Sequence, residues 1–205
     1  MIRSRWSDRP LARSVRLLLG LVLFGLGLAL LVQAHLGLDP WTVLTEGLAE
    51  RTGFSLGEIT VAVSLALLLL WIPLRQRPGL GTVANALVVG PVLDVGVAVI
   101  PAPGALAVRV LFLVLAVLMV AVATGLYVGV GWGPGPRDGL MTGLGDLGVP
   151  LYLARTLIEG TVLVAGWLLG GTVGVATVVF ALTVGPLVAR ALPRLALPPS
   201  ASQSG

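Results

Sequence analysis

The amino-acid sequence predicts an all-α polytopic transmembrane bundle, with six spans in two inverted three-helix repeats and a short half-helix in each repeat. Three observations lead to this fold class: the apolar composition, the spacing of the apolar stretches and an internal similarity between the two halves. Of the 205 residues, 57% are hydrophobic and only 11% are charged. A soluble domain needs charged residues over most of its surface. The composition therefore predicts that the lipid bilayer is the main partner of this chain.

The apolar stretches have the length of membrane spans, about 20 residues for roughly 30 Å of hydrocarbon. They lie at 17–36, 55–73, 80–100, 105–131, 150–169 and 171–191. Basic residues near span ends favour the cytoplasmic side. Five arginines precede the first span, and further arginines at 75, 77, 137, 190 and 194 fall on the same side if there are six crossings. We therefore expect both termini in the cytoplasm.

Several classes of function are disfavoured by what the chain lacks. It has no cysteine and one histidine, so we expect no thiol chemistry, no metal site and no cofactor. Its formal charge of +4 comes from arginines at span ends and not from a basic patch, so nucleic acid is not an expected partner. The first span resembles a signal peptide, but its basic region is longer than usual, and the fourth span is its counterpart in the second half. We therefore expect that the first span is not removed.

The two halves of the chain resemble each other at an offset of about 95 residues. Gly79-Leu80-Gly81-Thr82 matches Gly174-Val175-Ala176-Thr177, and Gly90-Pro91 matches Gly185-Pro186. An odd number of spans in each copy gives the copies opposite orientations, an arrangement common in secondary transporters. The predicted divisions are a cytoplasmic tail at 1–16, repeats at 17–102 and 103–194, and a C-terminal tail at 195–205.

A short helix is predicted after the first and the fourth span, at 40–51 and 136–147. Pro40 and Pro136 suit the first helical position, where a missing N–H costs nothing, and Asp39 and Gly135 can serve as N-caps. At about 18 Å, the first is too short to cross the membrane. Two alternatives stay open: connectors on the membrane surface, or re-entrant elements that dip into it.

These segments carry a family resemblance. Asp39-Pro40-Trp41 and the segment from Gly133 to Met141, which reads GPGPRDGLM, resemble the YczE/YyaS/YitT family of bacterial membrane proteins. The resemblance covers roughly residues 15–190 and departs from the expected pattern at Ala176, where we expect glycine. It implies a multi-pass protein of the bacterial plasma membrane, often regarded as a transporter. It implies no substrate and no catalytic residue.

Polar residues within apolar stretches are candidates for a substrate path, because a charge at the centre of a membrane helix costs at least about 2.5–3.5 kcal/mol. Within the spans the candidates are Asn85, Arg155 and Glu159. The starts of the two half-helices, which would face a substrate if these helices are re-entrant, add Asp39, Pro40, Trp41, Arg137 and Asp138.

Structural roles for the same residues stay open. Arg155 and Glu159, whose counterparts in the first repeat are Thr60 and Ser64, are one turn apart and form either a salt bridge or part of a gate. Arg137 and Asp138 form either an anion site at a helix N-terminus or a cytoplasmic arginine beside a capping acid. Asn85 is expected to bond to a neighbouring helix.

Two further expectations concern residues near span ends. The tryptophans at 41, 71, 132 and 167 are expected at the membrane interface. Asp94 and Arg109 flank an outer loop and are expected to pair there.

Three functions remain to be compared. The leading hypothesis is a small-solute transporter or channel with a site between the repeats. The alternative is a non-transporting scaffold or accessory subunit of a biosynthetic or export complex. An intramembrane enzyme is not expected, because Glu159 is the one candidate base and no catalytic group accompanies it. The solute is unknown, and a second copy or another membrane protein stays open as a partner.

Overall fold

The computed structural model describes residues 10–197, and this part of the chain is helical without strands. The helices are α1 (Pro10–Ala34), α2 (Pro40–Thr52), α3 (Leu56–Leu70), α4 (Leu80–Val99), α5 (Leu106–Val128), α6 (Pro136–Asp146), α7 (Leu151–Leu169) and α8 (Val175–Leu195).

Five helices, α1, α4, α5, α7 and α8, are long and apolar enough to cross a membrane. α3 has 15 residues, because the chain leaves the helix at Trp71 for a turn in which Arg75 has a φ of 52°. It forms a pair with α2, bent by 114°, and counting that pair as one crossing gives six. The chain is therefore a multi-pass helical membrane protein with five or six candidate spans, and its exposed apolar side chains face lipid.

The centre of the bundle is an antiparallel pair, α1 and α5, that approach closely through glycine. A Cβ at Gly20 would lie 2.9 Å from the backbone nitrogen of Tyr127, and a Cβ at Gly27 would lie 3.0 Å from Val120. Residue numbers rise along α1 as they fall along α5. Small residues allow helices to approach within van der Waals contact, which holds membrane bundles together. α4 packs beside α1, and α8 beside α5.

α1 begins at Pro10, seven residues before the apolar stretch that marks the first predicted span, so residues 10–16 are helical. Arg13 is 4% exposed and donates to the carbonyl of Val130 at 2.8 Å. Arg16 donates to the carbonyl of Leu195 at the end of α8. Carbonyls at or beyond helix C-termini lack partners within the helix, and arginine satisfies them. The other tail arginines, at 3, 5 and 9, and residues 198–205 lie outside the described part.

Both half-helices form close to the predicted bounds. α2 is capped by Asp39, whose carboxylate accepts from the Thr42 backbone N–H at 3.3 Å, and α6 has Gly135 as its N-cap. α2 packs against α7, where a Cβ at Gly47 would lie 2.6 Å from the carbonyl oxygen of Gly166. The first half of α2 is therefore buried within the bundle.

Two of the four tryptophans contradict the expected interfacial position. Trp41 is 5% exposed and Trp71 is 2% exposed. The Trp71 indole N–H donates to the carbonyl of Pro136 at 3.1 Å, because the start of α6 folds over it. Trp167 is 62% exposed on the outer surface of α7, as an interfacial tryptophan would be.

The expected pair of Asp94 and Arg109 is also wrong. The Asp94 carboxylate accepts from the Ser55 hydroxyl at 2.5 Å and from the Gly57 N–H at 2.7 Å. Arg109 donates to the carbonyl of Pro103 at 2.9 Å. Free N–H groups at the start of α3 attract the carboxylate, since a helix N-terminus carries partial positive charge.

Candidate functional site

The two half-helices start at the same place, although the long helices before them end far apart. Gly20 lies beside Tyr127 near the end of α5, whereas α1 continues to Ala34, about 21 Å further along the bundle at 1.5 Å per residue. Even so, Asp39 Oδ2 lies 3.6 Å from Arg137 Nη1. The chain must therefore turn back into the bundle from both ends.

Two matching backbone contacts hold these returning segments. The Ala176 N–H donates to the carbonyl of Leu36 at 2.8 Å, and the Gly81 N–H donates to the carbonyl of Trp132, also at 2.8 Å. Each segment thus forms a hydrogen bond with the first turn of a long helix from the other half of the chain. The N-termini of α2 and α6 are positioned by these bonds.

Glycines allow the backbone to turn sharply in the two segments that lead back into the bundle, before α2 and before α6. Gly37 has a φ of 108° and Gly133 a φ of 109°, a region that favours glycine over residues with a Cβ. The Thr82 hydroxyl also donates to the carbonyl of Pro134 at 2.7 Å.

Arg137 is the centre of a charged cluster. Its guanidinium carbon lies 5.3 Å from the centre of the Trp41 ring, a cation–π arrangement, and its side chain is 17% exposed. The neighbouring Asp138 carboxylate accepts from the Tyr127 hydroxyl at 2.9 Å. Arg137 is therefore a largely buried residue of α6 that is paired with Asp39.

A second ion pair lies on α7. Arg155 Nε donates to Glu159 Oε1 at 3.0 Å, which confirms the predicted salt bridge along one helix face. Thr60 and Ser64, their counterparts in the first half, are buried on α3.

Both ion pairs line one cavity of about 120 Å³. Each predicted substrate-path residue borders it except Pro40, which is buried at the start of α2. Asn85 lies in the wall contributed by α4. A cavity of about 150 Å³ holds a benzene molecule, so this space suits a solute of a few non-hydrogen atoms.

Several wall residues were missed by sequence reasoning. Tyr127, Thr124, Phe24 and Phe180 line the cavity, but they occur in apolar stretches where nothing distinguishes them from residues that face lipid. Thr60 and Ser64 could have been predicted as cavity residues, because the repeat makes them the counterparts of Arg155 and Glu159.

The chemistry of the cavity is that of a polar binding site. Three carboxylates, two guanidinium groups and several hydroxyls share it with apolar and aromatic walls. Within residues 10–197, no group of three potential ligands from His, Cys, Asp and Glu is positioned to hold a metal ion. The arrangement can form ion pairs and hydrogen bonds with a small polar solute.

The fold and the cavity define a multi-pass helical membrane protein with a charged interior site. The chain belongs to the family described as "Family of unknown function (DUF6198)", whose model matches residues 11–192.

Two relatives are similar to this chain over most of its length. One is an "Uncharacterized protein" of Haemophilus influenzae, 38% identical over 186 residues, or 90% of this chain and 85% of the relative. The other is the "Uncharacterized membrane protein YczE" of Bacillus subtilis, 28% identical over 179 residues, or 85% of this chain and 83% of the relative. The resemblance to the YczE group is thereby confirmed. No solved structure matches the chain.

Proposed function

We propose that this protein is a small-solute transporter or channel, whose binding site is the charged cavity between two inverted repeats. The observation that carries the proposal is the meeting of two half-helix N-termini inside the bundle, with Asp39 and Arg137 3.6 Å apart. Broken helices that start at the membrane midplane are how many transporters position polar groups for a substrate.

Matching contacts support the inverted repeat. The bond from Ala176 to Leu36 and the bond from Gly81 to Trp132 have the same length. Ala176 corresponds to Gly81, and Trp132 to Leu36, at offsets of about 95 residues. A two-fold relation between the halves exchanges the two bonds.

The cavity also has equivalent positions on opposite walls. Arg155 and Glu159 on α7 correspond to Thr60 and Ser64 on α3, and the cavity touches all four. A site on the two-fold axis that relates the repeats would be bordered by equivalent residues from both of them. Of these four residues only Arg155 and Glu159, in the second half, are charged, so the proposed site is asymmetric although the helices around it are not.

The half-helices are re-entrant elements in this proposal. α2 and α3 together would form one bent crossing, with the positive end of α2 directed at the cavity. This replaces the alternative in which residues 40–51 lie on the membrane surface, and it is supported by the buried first turns of α2.

We further propose a bacterial plasma-membrane location with both termini in the cytoplasm. The exposed arginines at 75, 77, 190 and 194 support this orientation, since positive residues are retained on the cytoplasmic side. We propose no enzymatic reaction, because Glu159, the candidate base within the spans, is already paired with Arg155.

Reconstitution into liposomes tests the function. The purified chain should move at least one member of a panel of small amines, amino acids, organic acids and sugars. Glu159→Gln should change that flux because it removes a cavity charge, whereas Asp146→Asn should not, since Asp146 is exposed at the end of α6 and bonds to Gln76. If no solute moves and mild-detergent extraction yields a stoichiometric partner, the accessory-subunit interpretation replaces transport.

A further inference from the structure

We infer that the cavity binds a small ammonium compound, a solute with a protonated amine and a short alkyl part, at the free oxygen of Asp39. This inference rests on the proposed function and names the class of solute. It follows from three properties of the cavity: its charge, an unpartnered carboxylate oxygen and its apolar wall.

The charged groups of the cavity leave an excess of one negative charge. Asp39, Asp138 and Glu159 face two arginines, Arg137 and Arg155. Each arginine is already paired with a carboxylate. An added anion would raise the excess, whereas a monovalent cation would cancel it.

One carboxylate oxygen has no hydrogen-bond donor from the described residues. Asp39 is 3% exposed; its Oδ2 accepts from the Thr42 N–H and faces Arg137, while its Oδ1 is buried and unbonded. A buried acceptor without a partner is unfavourable. Oδ1 is closed to a water-sized group in this conformation, so the carboxylate has to turn towards the cavity to accept an N–H donor from a ligand. That turn would exchange an unbonded acceptor for a charge-assisted hydrogen bond.

The ion pair beside this oxygen is loose. At 3.6 Å, Arg137 Nη1 and Asp39 Oδ2 are further apart than hydrogen-bonded charged groups, which lie at about 2.7–2.9 Å. Arg137 thus acts as a tethered cation that neutralises Asp39 without saturating it. An incoming ammonium group competes with Arg137 for the same carboxylate.

The surroundings favour ammonium over a metal ion. Metal cations that bind carboxylates, such as Ca²⁺ and Mg²⁺, require several oxygen ligands, whereas Asp39 offers one unbonded oxygen. Phe24, Leu28 and Phe180 line the same space and suit an alkyl group. With about 120 Å³ available, the ligand is limited to a few non-hydrogen atoms.

Binding by the full-length chain in detergent is the test, with methylammonium chloride as the probe and intrinsic tryptophan fluorescence as the readout. Asp39→Asn keeps an effective N-cap but removes the charge, and it should weaken methylammonium binding by about tenfold or more. Asp146→Asn is the matched control on α6 and should bind as the unmodified chain does. Arg137→Gln should strengthen binding by about tenfold, because the tethered competitor is gone.

The opposite signs of the two cavity variants distinguish a ligand site from a structural role, since loss of structure would weaken binding in both. Tetramethylammonium, which has no N–H donor, sodium chloride and sodium acetate complete the comparison. Equal binding of tetramethylammonium or sodium, binding of acetate alone, or no binding at all would overturn the inference.

This measurement needs no membrane gradient, so it separates the two proposals. Methylammonium binding without flux in liposomes would support the ligand site and contradict transport. Flux of another solute without methylammonium binding would support transport and contradict the ammonium site.

Discussion

Arg137 and Asp39 form an ion pair of 3.6 Å in which each residue belongs to the first turn or cap of a different short helix. Because the two helices lie in different halves of the chain, this pair joins the halves at the cavity. Substituting either residue should therefore lower the free energy of unfolding and change ligand binding in the cavity.

A double-mutant cycle on this pair should show coupling. Removing one partner of a buried pair costs about 3–5 kcal/mol, because a charge remains uncompensated. We expect Arg137→Gln to destabilise more than Asp39→Asn, since Arg137 keeps the adjacent Asp138 whereas Asp39 loses its ion-pair partner. The double variant should be more stable than the sum of the singles implies, as measured by denaturant unfolding in detergent. Additive effects would contradict a direct interaction.

The contact between α2 and α7 should depend on one glycine of α7. A Cβ at Gly166 would meet the backbone of Leu44, whereas a Cβ at Gly160 on the same helix meets nothing within 4 Å. Gly166→Ala should therefore destabilise the protein by about 1–3 kcal/mol through overpacking. Gly160→Ala should be neutral or slightly stabilising. Thermal unfolding of both variants checks this, and equal behaviour would mean that α2 does not pack closely against α7.

The two tryptophans at the ends of α3 and α7 should respond differently to substitution. Trp71→Phe removes the indole N–H that bonds to the buried Pro136 carbonyl and leaves a void where the larger ring packs against Gly139, which together should cost about 1–3 kcal/mol. Trp167 is exposed on the bundle surface, so Trp167→Phe should change the free energy of unfolding by less than about 0.5 kcal/mol. Equal losses in unfolding experiments would mean that the contact of the Trp71 indole with Pro136 does not contribute to stability.

The orientation in the membrane can be tested with single cysteines, because the natural chain has none. Ala102→Cys and Arg77→Cys both fall at exposed positions between helices. An impermeant maleimide applied to intact cells should label Cys introduced at 102 and should reach position 77 only after permeabilisation. The reverse pattern would invert the proposed topology, and the unsubstituted chain controls for background labelling.

The helices and the half-helices could be predicted from the sequence because their causes are local. Hydropathy over about 20 residues determines what partitions into lipid, and the caps of α2 and α6 depend on neighbours in the chain such as Asp39 and Pro40. The extension of α1 by seven residues before its apolar stretch was not predictable, because Arg13 and Arg16 interrupt the apolar pattern. Their partners, the carbonyls of Val130 and Leu195, are distant in sequence.

The candidate site was predictable in its residues and not in its geometry. Intramembrane charge is costly, and this criterion selected Arg155 and Glu159, whereas Asp39 and Arg137 were selected because they stand at the starts of the two half-helices. Rules based on position in the sequence counted Arg137 as a cytoplasmic arginine and Trp71 as an interfacial tryptophan. The structure places both inside the bundle, because folding brings other helices over them.

The amino-acid sequence alone identifies a multi-pass helical membrane protein with two short helices that begin at proline and with few charged residues in its spans. The tertiary structure adds that both short helices begin at one cavity, where Arg137 pairs with Asp39 and the Tyr127 hydroxyl donates to Asp138. The reason is physical: helix formation and partitioning are fixed by neighbouring residues, whereas the return of two loops into the bundle depends on contacts such as Gly81 with Trp132, which exist only once the halves have packed together.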